Sequence, residues 1–466
     1  MVTTATPRVF IENIREFVPG EVRLKGWIYR LRVLGKTAFV ILRDCTGEAQ
    51  CVIASDALKN YRLKVEDVIE IQGTVRAEPR SKTGHEVDIC AIRVLNRAGQ
   101  QLPFQSASDV ESVGLDTLIE YRPLALRTEA VGDIFRVQAG LLGCFRDALN
   151  RRRFTEIITS KIVGGGTEGG TNLFEIKYFN RVAYLAQSPQ FYKEHGVAGF
   201  ERVYETAHVY RAEPHASSRH LTEYYSLDVE FGFIDGPEDV IQFERELLTD
   251  MFDNLNRQHG KVISKYRTEC LPSMLKAPCW EFDACLEMLR REFGRTDLTD
   301  DLDPEAERQL CERARREAGI PAVFVLGFPL SARPFYTAPR GSGGAASSFD
   351  LLFQGIEITT GGQRLHRRQD LEAALRSRSI DPANFESHLA MFDLGMPPHG
   401  GFAIGLERLT CQVMNLPNVR QAVLSGSLQA HAVAPRRLTP SSQGIRKRLC
   451  WCAQPDAPAP AACPRC

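Results

Sequence analysis

Tyr210-Arg211-Ala212-Glu213, a short polar loop and then Arg219-His220-Leu221 lie inside a strand-loop-strand passage running from Val203 to Ile234. Far downstream comes Gly400-Gly401-Phe402-Ala403-Ile404-Gly405-Leu406-Glu407-Arg408. Arginine offers a rigid fork that matches phosphate, and glycine lets a backbone come close to a ligand. Two arginines carried on β structure beside glycines suit a triphosphate gripped without a Walker loop or a Rossmann turn.

Working outward, β character extends from Ile157 to Ile234. Tyr225, Leu227, Val229, Phe231 and Phe233 alternate with Asp228, Glu230 and Gly232, so one face is buried and the other carries carboxylates. Pro237 opens a helix with Val240, Ile241, Glu244, Leu247, Leu248, Met251 and Leu255. Strands are predicted at Ala322 to Gly327 and Phe349 to Thr359, a helix near Gln369 to Arg376, and a last strand at Gly401 to Ile404. Upstream, Asp133 is expected to cap a helix whose apolar positions Ile134, Val137, Leu141, Phe145 and Leu149 recur at helical spacing. That stripe is core or a dimer face. Antiparallel strands with flanking helices predict an α+β fold and not a doubly wound parallel sheet.

From Glu21 to about Leu95 the chain runs through five short strand-like segments, with a hairpin turn at Asp44-Cys45-Thr46-Gly47 and bends or bulges at Gly73 and Gly84. A small barrel follows. An OB-fold, which binds single-stranded nucleic acid through stacking and polar contacts, competes here with a generic barrel used for packing. The polar, aperiodic stretch Gln101 to Val113 reads as the linker to a second domain.

Ser348 to Thr359 reads as a hairpin turning at Gln354-Gly355. Counting back from a two-residue turn, Asp350 lies opposite Thr359, with Glu357 diagonal to both. Paired carboxylates on one face suit Mg²⁺ bridging nucleotide phosphates; a solvated salt-bridging face is the alternative.

The 466 residues allow two or three domains with a large core, and Lys+Arg and Asp+Glu balance at 58 each. Any nucleic acid must then be met by a local basic surface. The start of the chain carries no charged-then-apolar leader and no stretch approaches a membrane span, which leads to the expectation of a soluble cytoplasmic protein with no membrane partner. Nine of 13 cysteines are scattered before residue 412 and read as reduced core residues. Cys450, Cys452, Cys463 and Cys466 could hold zinc, but they flank an Ala- and Pro-rich loop with little to fold, so a disordered tail is the other reading.

Several blocks occur in one order: Thr167-Glu168-Gly169-Gly170, Gln187-Ser188-Pro189-Gln190-Phe191-Tyr192-Lys193, the two arginine passages, Gly355-x-Glu357-x-Thr359-Thr360-Gly361-Gly362-Gln363-Arg364, and Gly395-Met396-Pro397-Pro398-His399-Gly400-Gly401. Together they resemble the aspartyl-tRNA synthetases of the archaeal type, a branch of the class II aminoacyl-tRNA synthetases, over about residue 9 to about residue 425. The resemblance implies an OB-fold anticodon-binding domain over 1–102, a linker or hinge over 103–129, a class II catalytic domain on an antiparallel sheet over 130–440, and a Cys- and Pro-rich tail over 441–466.

It also implies roles. Arg211 and Arg408 are the catalytic pair, Arg211 on the α-phosphate and substrate carboxylate and Arg408 on the γ-phosphate. ATP is further contacted by Ala212, Glu213, Arg219, His220, Leu221, Glu357, Gly405, Leu406 and Glu407, and Mg²⁺ by Asp350, Glu357 and Thr360. L-aspartate is bound by Glu168, Gln190, Lys193, Arg211, Thr360 and Arg364, with Lys193 and Arg364 clamping its side-chain carboxylate and Glu168 taking the ammonium. An amide in that clamp would leave buried cations unpaired, and related asparaginyl enzymes tend to carry an acidic residue where Lys193 stands. In the barrel, Phe39 and Gln50 match residues that contact the anticodon, although Phe39 in its apolar run could equally be core. Trp27 and Lys82 resemble residues linked to charging tRNA(Asn) as well as tRNA(Asp).

Two departures stand out. Motif 1 of the family ends in a proline at the dimer interface where this chain has Ser160, which bears on the strength of the expected homodimer. Beyond motif 3, Leu424 to Pro435 does not match and an unmatched tail follows Arg437-Leu438-Thr439-Pro440. The resulting expectation is an aspartate–tRNA ligase. An asparaginyl-tRNA synthetase, disfavoured by Lys193 and His215, and a non-catalytic RNA-binding paralogue are its rivals.

Overall fold

The computed structural model describes residues 7–99, 101–166, 173–212 and 217–425. The first unit is a closed barrel of β1 (Gly20–Leu34), β2 (Thr37–Arg43), β3 (Glu48–Ala54), β4 (Val68–Ala77) and β5 (His85–Asn96), in the order β1-β2-β3-β5-β4, with α1 (Ser55–Lys59) between β3 and β4. Period-two patterning makes it: Val22, Leu24 and Ile28 of β1 and Ala38, Val40 and Leu42 of β2 all point into one core. The Asp44 carboxylate accepts from Thr46 N at 2.7 Å and Gly47 N at 3.2 Å, which closes the β2–β3 turn. The β4–β5 ladder slips register at Gly73, and Gly84 sits at φ +76° in the next turn.

Residues 103–129 are less bare than a linker would be. They hold α2 (Leu115–Glu120) and α3 (Arg122–Ala125), and Phe104, Leu118, Leu124 and Ala125 form their own apolar cluster with Val131. Next come α4 (Glu129–Arg151), the edge strand β6 (Thr155–Glu156), a small sheet of β7 (Ile162–Val163), β8 (Glu175–Tyr178) and β9 (Arg181–Leu185), and α5 (Gln190–Phe200). Then follow β10 (Arg202–Tyr210), β11 (Glu223–Gly232), α6 (Pro237–Ile263), β12 (Cys279–Glu281), α7 (Phe282–Phe293), α8 (Pro304–Ala318) and β13 (Ala322–Leu326). A two-residue pair, β14 (Pro339–Arg340) and β15 (Ala345–Ala346), precedes β16 (Ser348–Phe353), β17 (Ile356–Gln363), α9 (Arg368–Ser377), α10 (Glu386–Phe392), β18 (His399–Gly405) and α11 (Leu406–Met414).

The eight-stranded sheet runs β12-β13-β16-β17-β18-β11-β10-β6, with antiparallel pairing from β13 to β10 and a parallel pair at each edge. Its core-facing side meets α4 and α6 through Leu141, Phe145, Leu247, Leu248 and Phe252, all fully buried. Burial of this kind is worth about 1.5–3 kcal/mol per large apolar side chain and is what holds the sheet flat against the helices.

Two local readings change. Helix α4 begins at Glu129, four residues before the expected cap, because the Thr128 hydroxyl accepts from Val131 N at 3.3 Å. Asp133 lies inside the helix and binds Lys265 at 2.9 Å and Tyr266 at 3.1 Å. In the β16–β17 hairpin a bulge at Ile358 moves the register, so Asp350 faces Thr360 and Leu351 faces Thr359. Among the described residues no helix is long and apolar enough to cross a membrane.

Candidate active site

The open face of the sheet between β17, β18 and β11 carries a pocket lined by Arg211, Arg219, His220, Glu357, Thr360 and Arg408, among others. Each arginine reaches it from a different element. Arg211 follows β10, where its N donates to Thr222 O at 2.8 Å and its guanidinium lies 5.7 Å from the Tyr224 ring centre. Arg408 comes from the first turn of α11; its Nε donates to Arg219 O at 3.2 Å and its Nη1 to Glu357 O at 3.0 Å. Leu221, Gly405 and Glu407 also line the pocket, while Leu406 is buried in the core behind it and Ala212 is half-buried beside Arg211. Glu407 accepts from Tyr225 N at 3.1 Å, and burial pushes its carboxyl up to about 7. Its part in the pocket is to fix the β11 backbone. Glu168 and Glu213 lie outside the described residues, as does His215.

Thr360 Oγ1 donates to Glu357 at 3.0 Å, so those two expected Mg²⁺ ligands are joined. Asp350 differs: both of its oxygens accept from Arg333, at 3.1 and 2.7 Å. Burial raises the Asp350 carboxyl to about 6 in spite of Arg333, and the charge of Glu357 adds to the rise. The partly exposed Glu357 therefore fits a Mg²⁺ that takes most of its ligands from phosphate, whereas Asp350 joins only by giving up part of its ion pair. No group of three or more His, Cys, Asp or Glu among the described residues forms a metal cage of its own.

Beyond the arginines lies a buried ionic cluster. Lys193 is 1% exposed, and its Nζ lies 2.9 Å from Asp228 and 3.2 Å from Glu230. Arg364 donates through Nε to Glu230 at 3.1 Å and through Nη2 to Gly401 O at 3.1 Å. Burial works against the Lys193 ammonium, but Asp228 and Glu230 outweigh it and hold its pKa above the ordinary value. A Cβ on Gly401 would collide with Val229 O and the Glu230 carboxylate, so only glycine lets β18 pass this cluster. Gln190, 2% exposed, stands on the same helix one turn from Lys193.

Sequence reasoning missed Glu307, Arg333 and the roles of Asp228 and Glu230. Glu307 of α8 pairs with Arg219 and accepts from Glu357 N at 3.1 Å, and burial lifts its carboxyl to about 7. Its place in a charge-rich helix gave no signal. Asp228 and Glu230 were visible as carboxylates on one face of β11, without a partner to give them meaning.

In the barrel, Phe39 is half-buried on the outer face of β2 between the fully buried Ala38 and Val40, so the core alternative does not hold. Gln50 donates to Glu86 at 2.8 Å. It shares a cleft with the exposed Lys82, Tyr29, Arg43 and Arg127. Trp27 stacks under Arg127, 4.9 Å from guanidinium to ring centre.

A five-stranded barrel joined to an antiparallel sheet that bears arginines at its open face finds its counterpart in known proteins. Residues 114–428 match the family described as "tRNA synthetases class II (D, K and N)". The chain belongs to the class II tRNA synthetases. Residues 22–95 match the OB-fold nucleic acid binding domain. Among relatives of this synthetase, an aspartate–tRNA(Asp/Asn) ligase of Thermus thermophilus is 42% identical over 89% of this chain and 97% of its own length. An aspartate–tRNA(Asp) ligase of Picrophilus torridus is 37% identical over 87% and 95%. Among solved structures, asparaginyl-tRNA synthetase from Pyrococcus horikoshii complexed with asparaginyl-adenylate superposes with a TM-score of 0.83 at 28% identity, covering 90% of this chain and 98% of that one. Aspartyl tRNA synthetase from Entamoeba histolytica does so with 0.80 at 28%, covering 91% and 92%.

Proposed function

We propose that the chain is an aspartate–tRNA ligase that activates L-aspartate with ATP and transfers it to tRNA(Asp). The observation that carries this reading is the Lys193–Arg364 pair, buried beside Asp228 and Glu230 next to the three-arginine pocket. Asp228 and Glu230 already balance the two cations, so the discrimination lies in hydrogen-bond sense: Lys193 and Arg364 only donate, and a substrate side-chain carboxylate accepts from both where the NH2 end of an amide would oppose them. The likeness to an asparaginyl enzyme concerns the frame, which both specificities share.

In this reading the aspartate α-carboxylate attacks the α-phosphorus of ATP, pyrophosphate leaves, and the terminal ribose hydroxyl of tRNA attacks the mixed anhydride. No protein nucleophile is needed. Arg211 orients the α-phosphate and the attacking carboxylate, and Arg408, with Arg219, neutralises the departing phosphates; alignment and charge stabilisation supply the catalysis. Glu357 and Thr360, with Asp350 behind them, would hold Mg²⁺, which supplies further charge neutralisation on the phosphates. Glu168 and Glu213 keep their assigned contacts with the ammonium and adenine as part of the proposal.

Phe39 and Gln50 face the anticodon, the aromatic ring offering a stacking surface. The first two relatives are named for both tRNAs, which favours tRNA(Asn) as a second substrate, with Trp27 and Lys82 in the discriminating role. The enzyme works as a cytoplasmic homodimer. Ile158, 95% exposed and two residues past the edge strand β6, supports a partner there. Charging of tRNA(Asp) and tRNA(Asn) transcripts with labelled aspartate tests the reading: both are expected to accept aspartate, and charging of neither would reject it.

A further inference from the structure

Behind the amino-acid pocket, Gln190 opens a chain of polar contacts whose other members no part of the reaction above uses. Gln190 Nε2 donates to Glu194 Oε1 at 2.8 Å. The other Glu194 oxygen lies 3.2 Å from His388 Nε2, and His388 Nδ1 lies 3.0 Å from His195 Nε2. Gln190, Glu194 and His388 are 2%, 0% and 4% exposed, and His195 at the far end is half-buried. Phe191 stacks on His388 with ring centres 3.9 Å apart, and Phe392 meets it edge-on at 5.1 Å. The imidazole is thus held between two rings, with Nδ1 toward His195 and Nε2 facing the Glu194 carboxylate across an ion-pair distance.

A glutamine amide has a donor end and an acceptor end of nearly the same shape, so its surroundings decide which end faces a ligand. An ionised carboxylate only accepts. Burial pushes the Glu194 carboxyl up, but His388, His399 and the Gln190 amide together hold it at about 2. Glu194 therefore takes the amino end of Gln190 and leaves the carbonyl oxygen as the end available to a substrate.

Resting on the aspartate reading, we propose that Glu194 and His388 are positioning residues: they fix the amide sense of Gln190, so that its carbonyl oxygen and not its amino group meets the ammonium of the amino acid. His195 completes the second contact of His388 and so holds the ring that holds Glu194.

The test is aspartate-dependent ATP–pyrophosphate exchange by the full chain and by Glu194→Gln, His388→Phe, His388→Gln and the double variant Glu194→Gln/His388→Phe, with thermal melting as the check on folding. Glutamine at 194 accepts either amide sense. Phenylalanine at 388 keeps the stack on Phe191 and loses both nitrogens; glutamine there restores a donor toward Glu194. Losing one hydrogen bond to a charged group corresponds to about a tenfold rise in the KM for aspartate, with the KM for ATP unchanged within about twofold. The double variant is expected to be no worse than either single one, and His388→Gln to recover most of the loss. An unchanged aspartate KM in folded, active Glu194→Gln overturns the proposal, as does a parallel rise in the ATP KM, which marks a merely structural role. Should His388→Phe fail to fold, the isosteric Glu194→Gln decides alone. A folded parent that exchanges with no amino acid rejects the functional reading and this proposal with it; an active parent with an unmoved Glu194→Gln rejects this proposal only.

Discussion

Replacing Glu244 by methionine is expected to stabilise the protein and to flatten its stability-versus-pH curve. Glu244 sits on the core face of α6 with no solvent exposure, and neither carboxylate oxygen has a hydrogen bond of good geometry. Burial lifts its carboxyl from 4.5 to about 8; the Thr359 hydroxyl offsets only part of this, and the Asp350 charge adds to it. The folded protein thus keeps a proton that the unfolded chain releases above its ordinary pKa of 4.5. Between those values the native state binds more protons, so stability falls as pH rises, by up to about 1.4 kcal/mol per pH unit. From pH 5.5 to 8.0 the loss attributable to this one group comes to about 3 kcal/mol. Methionine matches the length of glutamate and carries no charge, so the variant lacks that slope. Urea unfolding of parent and variant at pH 5.5 and 8.0 reads it directly: the two should differ by about 3 kcal/mol more at the higher pH. Parallel curves with no change in the difference would show that Glu244 is ionised and solvated in the native state, and would refute the reasoning.

Two further outcomes follow from the same structure. Arg333→Met deprives the buried Asp350 of both hydrogen bonds from Arg333 and is expected to cost about 3 kcal/mol, read as a fall in melting temperature; an unmoved melting temperature would mean that the ion pair contributes nothing. Phe39→Ala removes a stacking face from the outer surface of the barrel and should lower kcat/KM for tRNA by about tenfold while leaving pyrophosphate exchange untouched; unchanged charging would take Phe39 out of the anticodon contact.

Much of this fold was legible in the chain because its strands obey simple periods. Alternation in β11 and the glycine run of β18 fix two adjacent strands of the sheet, and the Asp44 to Gly47 turn and the Gly73 bulge lie where their residues suggest. The arginines were legible because few local patterns place Arg beside glycine on β structure. What escaped depends on distance in sequence. The Ile358 bulge leaves no mark in a β-branched run, so Asp350 was paired with Thr359 in place of Thr360. Glu307, Arg333 and His388 reach the site from α8, the approach to β14 and α10, 50, 17 and 194 residues from their partners Glu357, Asp350 and Glu194 respectively. Each reads locally as an ordinary surface charge, and only the tertiary fold buries it. The start of α4 was misplaced because Thr128 competes with Asp133 as a cap, and the residues between them continue the helix.

The most direct test of the central claim is aspartate-dependent ATP–pyrophosphate exchange by the purified chain and by Arg408→Ala, with asparagine and lysine as controls. Removing one preorganised phosphate donor typically costs about a hundredfold or more in rate. Exchange with aspartate alone, lost by at least that factor in the variant, is the expected result. A folded parent that exchanges with no amino acid, or an Arg408→Ala variant that keeps full activity, would contradict it.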